Sequence, residues 1–308
     1  MALTGDVDTL GGWLPAGDLE QGLAQLVQPS AMLGRNSDVE VFGFGTGRLQ
    51  AAGLKRPFGL SLSKPFDKLR ANGNFHYSTI TKMTKLLDCI TIESAPNPTA
   101  AVIWLHGLGA SGDDFAAIVP ELDLTDCPAI RFVFPHAPVM PVTLNGGYVM
   151  PAWYDIFGTE LGAGAVKRED AAGIAKSQQD VEALIAHEVA RGIHPSKIVL
   201  AGFSQGCAVA LYTGLRHSAK LAGIMALSGY LPVASTLAAE RNAANANTPI
   251  YMAHGTEDQV VVLSRAEASR DVLVGLGYNI QWHAYPMPHS VHPREIADIS
   301  GFLKVLLG

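Results

Sequence analysis

The chain has 308 residues, of which 48% are hydrophobic and 16% are charged, and its formal net charge is -6. An apolar fraction this high with so small a net charge excludes disorder as the main state. The balance of 22 Lys and Arg against 28 Asp and Glu, without a basic run, excludes a basic nucleic-acid binder. Three unclustered cysteines, Cys89, Cys127 and Cys207, predict free thiols in a reducing compartment rather than a disulfide framework or a metal site.

No membrane span or export signal is predicted. The first twenty residues contain no Lys or Arg, whereas a secretory signal starts with basic residues. No uncharged apolar run reaches the roughly 18 residues that a spanning helix needs. We therefore expect a cytoplasmic protein without integral membrane association.

Residues 1–82 and 83–308 differ in character. The first segment holds 12 of the 32 glycines and shows no long run with the period of a strand or a helix. Such a segment lacks the apolar face that a core of its own requires. We interpret residues 1–82 as a poorly structured or non-native N-terminal extension and residues 83–308 as one domain.

From residue 83 onward, strand-like and helix-like segments alternate. Strands are predicted at Asp88–Glu93, Ala100–Leu105, Ile130–Phe134, Lys197–Phe203, Leu221–Leu227, Ile250–His254 and Ile280–Tyr285. Helices are predicted at Asp113–Leu122, Glu169–Arg191, Gln205–Arg216, Ser264–Leu276 and Pro293–Leu307. Several strands are continuous apolar runs, as expected of strands buried on both faces. The order predicts an α/β fold with a doubly wound, mostly parallel sheet and helices on both faces.

The first clear turn signal follows the strand Ala100–Leu105, where the sequence is His-Gly-Leu-Gly-Ala-Ser-Gly. Gly107, Gly109 and Gly112 match the dinucleotide fingerprint, which would indicate an NAD-type oxidoreductase. That reading also requires an acid at the end of the next strand, where Pro135-His136-Ala137-Pro138 stands instead. We favour a turn whose backbone N–H at Leu108 contributes to an oxyanion hole.

A candidate nucleophile follows the strand Lys197–Phe203. Gly202-Phe203-Ser204-Gln205-Gly206 matches G-x-S-x-G between a strand and a helix of small residues. In that context the serine sits on a sharp turn, and the helix N-terminus places positive partial charge near it. We predict that Ser204 is the nucleophile and that the N–H of Gln205 is the second oxyanion donor.

The acid and the base are sought further along the chain, because this fold orders them as Ser, acid, His. Asp258, in the loop after Ile250–His254, is favoured as the acid over Glu257. His289, in the loop after Ile280–Tyr285, is favoured as the base over His292. The carboxylate would orient the imidazole, which then takes the serine proton.

The motifs LHGLGASGDDF, PAWYDI, KIVLAGFSQG, HGTEDQVV and YPMPHSV occur together and in this order. Over about residues 86–307 the chain resembles the carboxylesterase and acyl-protein thioesterase family of α/β-hydrolases. The resemblance implies an α/β-hydrolase catalytic domain that cleaves short to medium acyl esters or thioesters without cofactor or metal. Acylated proteins as substrates and a homodimer are compatible with it. It assigns the catalytic roles to Ser204, Asp258 and His289, and the oxyanion roles to Leu108 and Gln205.

The resemblance leaves three points open. The Trp-aromatic-Asp segment falls on Trp153-Tyr154-Asp155, for which a pocket-wall role and a structural role are equally favoured. Pro288 and Cys207 stand where the family often has glycine, which affects substrate range more than catalysis. A non-catalytic relative that binds a ligand remains the main alternative function.

Overall fold

The computed structural model describes residues 86–158 and 168–308. The predicted extension over residues 1–82 lies outside these ranges. The strands are Cys89–Glu93 (β1), Ala100–Leu105 (β2), Ile130–Pro135 (β3), Val139–Val142 (β4), Tyr148–Pro151 (β5), Ile198–Phe203 (β6), Gly223–Leu227 (β7), Ile250–Gly255 (β8) and Ile280–Tyr285 (β9). The α-helices are Asp113–Ala116 (α1), Ala171–Ala190 (α2), Gln205–Arg216 (α3), Ala234–Glu240 (α4), Leu263–Gly275 (α5) and Pro293–Leu307 (α6).

Seven strands form the main sheet in the order β1-β3-β2-β6-β7-β8-β9. All neighbouring pairs are parallel except β1 with β3. The seven strands predicted from the sequence are these seven, with ends that differ by two residues or fewer. β4 and β5 form a separate antiparallel hairpin.

Helices cover both faces of the sheet, as predicted. Strand β2 is buried at every position, because its alternate side chains enter two different clusters. Ala101, Ile103 and Leu105 pack in a cluster with residues of α2 and α3. Ala100, Val102 and Trp104 pack in a second cluster with residues of α1 and α6. Burial on both faces explains why this strand is a continuous apolar run.

Two local predictions were wrong or incomplete. The helix predicted at Asp113–Leu122 ends at Ala116, and a 3₁₀ turn follows at Val119–Glu121. Pro120 explains the break, because proline has no N–H for the helical ladder and clashes with the preceding turn. Strands β4 and β5 and helix α4 were not predicted.

The parallel arrangement positions the candidate site. Ser204, Asp258 and His289 follow the carboxyl ends of β6, β8 and β9, respectively. Parallel strands present these ends at one edge of the sheet, where ligands bind in open α/β sheets.

Candidate active site

Ser204 lies on a strained turn between β6 and α3. Its backbone has φ 55° and ψ -117°, a conformation that L-residues rarely adopt. The flanking glycines permit the turn: a Cβ on Gly202 would lie 2.2 Å from the carbonyl oxygen of Gly206. A Cβ on Gly206 would lie 2.3 Å from the carbonyl oxygen of Leu105. Strand and helix can approach this closely only because both positions lack a side chain.

Asp258 and His289 are joined by a hydrogen bond. The distance from His289 Nδ1 to Asp258 Oδ2 is 2.7 Å, and the Asp258 side chain is 0% exposed. The other carboxylate oxygen accepts the N–H groups of Val260 and Val261 at 2.9 and 2.8 Å. Because the carboxylate accepts on both oxygens, it holds a proton on His289 Nδ1 and leaves the Nε2 of that ring free to accept one.

The His289 ring lies beside the Ser204 turn. Its centroid is 4.7 Å from that of Phe203, the residue directly before the serine. In the part of the chain that the structure describes, no hydrogen bond joins the Ser204 hydroxyl to the imidazole. The structure thus brings Asp258 and His289 into contact and places the ring next to the Ser204 turn, without a hydrogen bond between serine and histidine. Such bonds are often long before substrate binds.

Two backbone N–H groups are close to the serine. A Cβ on Gly107 would lie 3.4 Å from the Ser204 Cβ, so the loop that carries Leu108 packs directly against Ser204. The other N–H belongs to Gln205, the first residue of α3, whose N–H has no partner within the helix because of its position. Both groups are therefore candidates for the oxyanion hole predicted from the sequence.

A protein-family model matches most of the chain. Residues 87–307 match the model of the phospholipase/carboxylesterase family. The chain belongs to this family. As a member it has the α/β-hydrolase fold, and it is an enzyme that hydrolyses carboxylic esters or thioesters.

Several relatives match the same part of the chain. An acyl-protein thioesterase 1 of Gibberella zeae is 39% identical over 222 residues, which are 70% of this chain and 94% of the relative. One of Yarrowia lipolytica is 42% identical over 210 residues, which are 67% of this chain and 91% of the relative. The crystal structure of Arabidopsis thaliana SOBER1 has a TM-score of 0.63 at 31% identity and covers 68% of this chain and 99% of its own.

The dinucleotide alternative does not fit this phospholipase/carboxylesterase family member. The N–H of Gly109 donates to the Pro151 carbonyl at 2.9 Å, and that of Gly112 donates to His136 Nδ1 at 3.2 Å. Two amides that would cradle a pyrophosphate are therefore already bonded. A Cβ on Gly112 would lie 2.4 Å from the Phe134 carbonyl oxygen, so packing requires this glycine.

The runner-up residues have other contacts. Glu257 has an exposed side chain, and its N–H donates to the Met287 carbonyl at 3.1 Å. His292 is the N-cap of α6, where its Nδ1 accepts the Arg294 N–H at 3.1 Å. These contacts favour Asp258 and His289 as the acid and the base.

Trp153 and Tyr154 lie behind the Ser204 turn. Their side chains are 3% and 0% exposed. The Gln205 side chain accepts the Trp153 N–H at 2.9 Å and donates to the Tyr154 carbonyl at 2.7 Å. The Ser177 hydroxyl donates to the Trp153 carbonyl. Of the two roles predicted for this pair, burial and these bonds favour the structural one over a pocket wall.

A role for His254, the residue before the last of β8, was not predicted from the sequence. Its ring is 1% exposed, and Nε2 lies 2.7 Å from the Val261 carbonyl oxygen and 3.4 Å from Asp258 Oδ2. Burial lowers the pKa of His254, so the neutral ring donates from Nε2 toward both oxygens. A sequence signal for this contact was available: His254 lies near the end of a predicted strand, four residues before the candidate acid Asp258.

Neither a metal cluster nor a membrane-spanning helix is found among the described residues. Within residues 86–158 and 168–308, no group of three or more His, Cys, Asp or Glu side chains could hold a metal ion. In the same ranges, no helix is long and apolar enough to cross a membrane.

Proposed function

We propose that this enzyme cleaves short to medium acyl esters and acyl thioesters through an acyl-enzyme on Ser204. The observation that carries the proposal is the 2.7 Å bond from His289 to Asp258 beside the strained Ser204 turn. Backbone strain of this kind clusters at active sites.

The mechanism has two steps. The Ser204 Oγ attacks the acyl carbonyl carbon while His289 Nε2 accepts its proton, and the N–H groups of Leu108 and Gln205 hold the oxyanion. The imidazolium then protonates the departing alcohol or thiol. A water molecule gives a proton to the same ring as it attacks the acyl-enzyme. The ring then returns this proton to the Ser204 Oγ as the bond to the acyl carbon breaks, and the carboxylic acid is released. Asp258 keeps the ring in the required tautomer throughout.

The substrate range includes acylated proteins in this proposal. The curated relatives named acyl-protein thioesterase 1 support it, with identities of 39% and 42%. The cytoplasmic location and the homodimer stay predictions. Hydrolysis rates on p-nitrophenyl esters, acyl thioesters and S-acylated peptides of increasing chain length would define the acyl and leaving-group preference.

Replacement of Ser204 by alanine tests the central step. We expect Ser204→Ala to lose on the order of 10⁴-fold or more in kcat on a p-nitrophenyl ester, because the nucleophile is gone. Ser235→Ala, at an exposed position on α4, is the matched control and should keep full activity. Near-normal turnover by Ser204→Ala would disprove the acyl-enzyme.

Covalent labelling separates the non-catalytic alternative. A fluorophosphonate probe reacts only with an activated serine. The wild type and Ser235→Ala should be labelled, and Ser204→Ala should not. A folded wild type that is neither labelled nor active on any ester would favour a binding function.

A further inference from the structure

The His106 ring is enclosed between two backbone segments next to the nucleophile. Its Nδ1 lies 2.7 Å from the carbonyl oxygen of Gly107, and its Nε2 lies 3.0 Å from the backbone nitrogen of Ala137. The residue is 1% exposed. Its own carbonyl oxygen accepts the indole N–H of Trp153 at 2.9 Å, so backbone and side chain are both held.

The contacts determine the tautomer of this ring. The Ala137 N–H can only donate, so Nε2 must be the accepting nitrogen and the ring proton lies on Nδ1. The Nδ1–H therefore donates to the Gly107 carbonyl. Burial lowers the pKa of His106 to about 4, so the ring is neutral at physiological pH.

This bond acts on the candidate oxyanion donor through one peptide unit. The Gly107 carbonyl and the Leu108 N–H belong to the same planar trans peptide and point in opposite directions. The Gly107 oxygen also accepts the Ala110 N–H at 3.3 Å, but the contact with His106 at 2.7 Å is the shorter of the two. Holding this oxygen fixes the direction of the Leu108 N–H. The Leu108 N–H donates to no atom of the described residues and is free for an oxyanion. A hydrogen bond accepted at the oxygen also polarises the amide, which makes its N–H a stronger donor.

We propose that His106 is a positioning residue for hydrolysis: its Nδ1–H aims and polarises the Leu108 N–H toward the oxyanion. The inference rests on the proposed function. His106 itself touches neither the substrate nor the reacting atoms, and its effect appears only when negative charge develops on the carbonyl oxygen.

Two substitutions separate the donor from the rest of the ring. In His106→Asn the amide nitrogen stands near the position of Nδ1 and can still donate to Gly107. In His106→Gln the amide oxygen can reach the position of Nε2 and accept the Ala137 N–H, but the donor to Gly107 is lost. We expect His106→Gln to lose about 10²-fold in kcat, the scale of one oxyanion donor, and His106→Asn to lose less than about fivefold.

The inhibition constant of a transition-state analogue distinguishes a positioning role of His106 from a purely structural one. A trifluoromethyl ketone forms a tetrahedral adduct with the serine and carries an oxyanion. Its inhibition constant should rise in His106→Gln by the same factor as kcat/KM falls, while KM for a p-nitrophenyl ester stays within about threefold. Equal losses in the two variants, or losses confined to KM and melting temperature, would overturn the role of His106.

A measurement on the unmodified enzyme tests the geometry if a variant fails to fold. Long-range ¹H–¹⁵N spectra of the wild type should show the His106 proton on Nδ1, and a proton on Nε2 would overturn the inference. The two proposals fail separately. A wild type that hydrolyses no ester overturns the proposed function, whereas an active wild type with an inactive Ser204→Ala and equal His106 variants overturns only this inference.

Discussion

At the scale of single residues, the Asp258 carboxylate is the most tightly constrained group of the candidate site. It accepts two backbone N–H groups on one oxygen and the His289 ring on the other, and the His254 Nε2 stands 3.4 Å from the same second oxygen. An ionised acceptor is the only form of this side chain that matches donors on both sides. Replacing one oxygen by a donor should therefore disturb the histidine rather than the fold.

Asp258→Asn should leave substrate binding intact and remove most of the turnover. The amide oxygen keeps the backbone bonds, so the NH₂ group faces His289 and stabilises the tautomer that cannot accept the serine proton. We expect kcat to fall by about 10⁴-fold with little change in KM. Steady-state kinetics of Asp258→Asn beside Glu257→Gln, an exposed neighbour, check this. An impaired Glu257→Gln with a normal Asp258→Asn would move the acid to Glu257.

The sequence led to the candidate triad because chain order and strand ends constrain it. Ser204 needs a strand before and a helix after, and Asp258 and His289 each follow a later strand. The sequence could not show which second partners these groups have. The contacts of His254 and His106 depend on where two loops fold back, at Val261 and Ala137, and such contacts have no periodic signal.

At the scale of elements, the predicted bounds are correct where a neighbouring residue stops the element at each end. Helix α3 has the predicted bounds, because the strained serine stands before its first residue and His217 is already extended at its end. The β4–β5 hairpin was missed because Pro141 and Pro151 lie within its strands, and proline argues against a strand except at an edge. β4 and β5 pair only with each other, so each strand has a free edge that can accommodate its proline.

The start of helix α6 contains a buried carboxyl group. Glu295 is 0% exposed; one of its oxygens accepts the His292 N–H at 3.2 Å, and the other has no partner in the described residues. Burial, reinforced by the nearby Asp298, raises the pKa of Glu295 from 4.5 to about 7. The folded state therefore binds this proton more tightly than the unfolded state does.

The raised pKa predicts a pH-dependent loss of stability. The contribution of protonated Glu295 is fully present below pH 4.5 and is lost as the pH rises through about 7. Glu295→Gln keeps a cap acceptor and cannot ionise, so its unfolding free energy should exceed that of the wild type by about 1–3 kcal/mol at high pH. Urea unfolding at pH 5 and pH 8, with exposed Glu121→Gln as control, measures this. A wild type and a Glu295→Gln variant with the same pH dependence would contradict it.

At the scale of the whole molecule, the family match and the relatives cover the same part of the chain. The match spans residues 87–307, and the Gibberella zeae relative is covered over 94% of its length by 70% of this chain. The interpretation of residues 1–82 as an extension stays a prediction, supported by this difference in coverage. A domain with its own core is expected to fold without an appended segment.

Deletion of residues 1–82 tests that interpretation. A chain that starts at Met83 should fold cooperatively and keep kcat/KM on a p-nitrophenyl ester within about twofold of the full chain, because the core and the candidate site lie after that residue. Thermal unfolding and steady-state kinetics of the two chains are the measurements. A large loss of activity in the shorter chain would show that the first segment belongs to the catalytic unit.

The φ of 55° at Ser204 sets stability against activity at a single position. Glycine adopts this conformation without a steric penalty, whereas any other residue is less stable there by about 1–3 kcal/mol. Ser204→Gly should thus melt at a higher temperature than Ser204→Ala, although both variants are inactive. Differential scanning calorimetry of both variants and the wild type would show whether loss of the serine side chain raises the melting temperature of this enzyme while abolishing its activity.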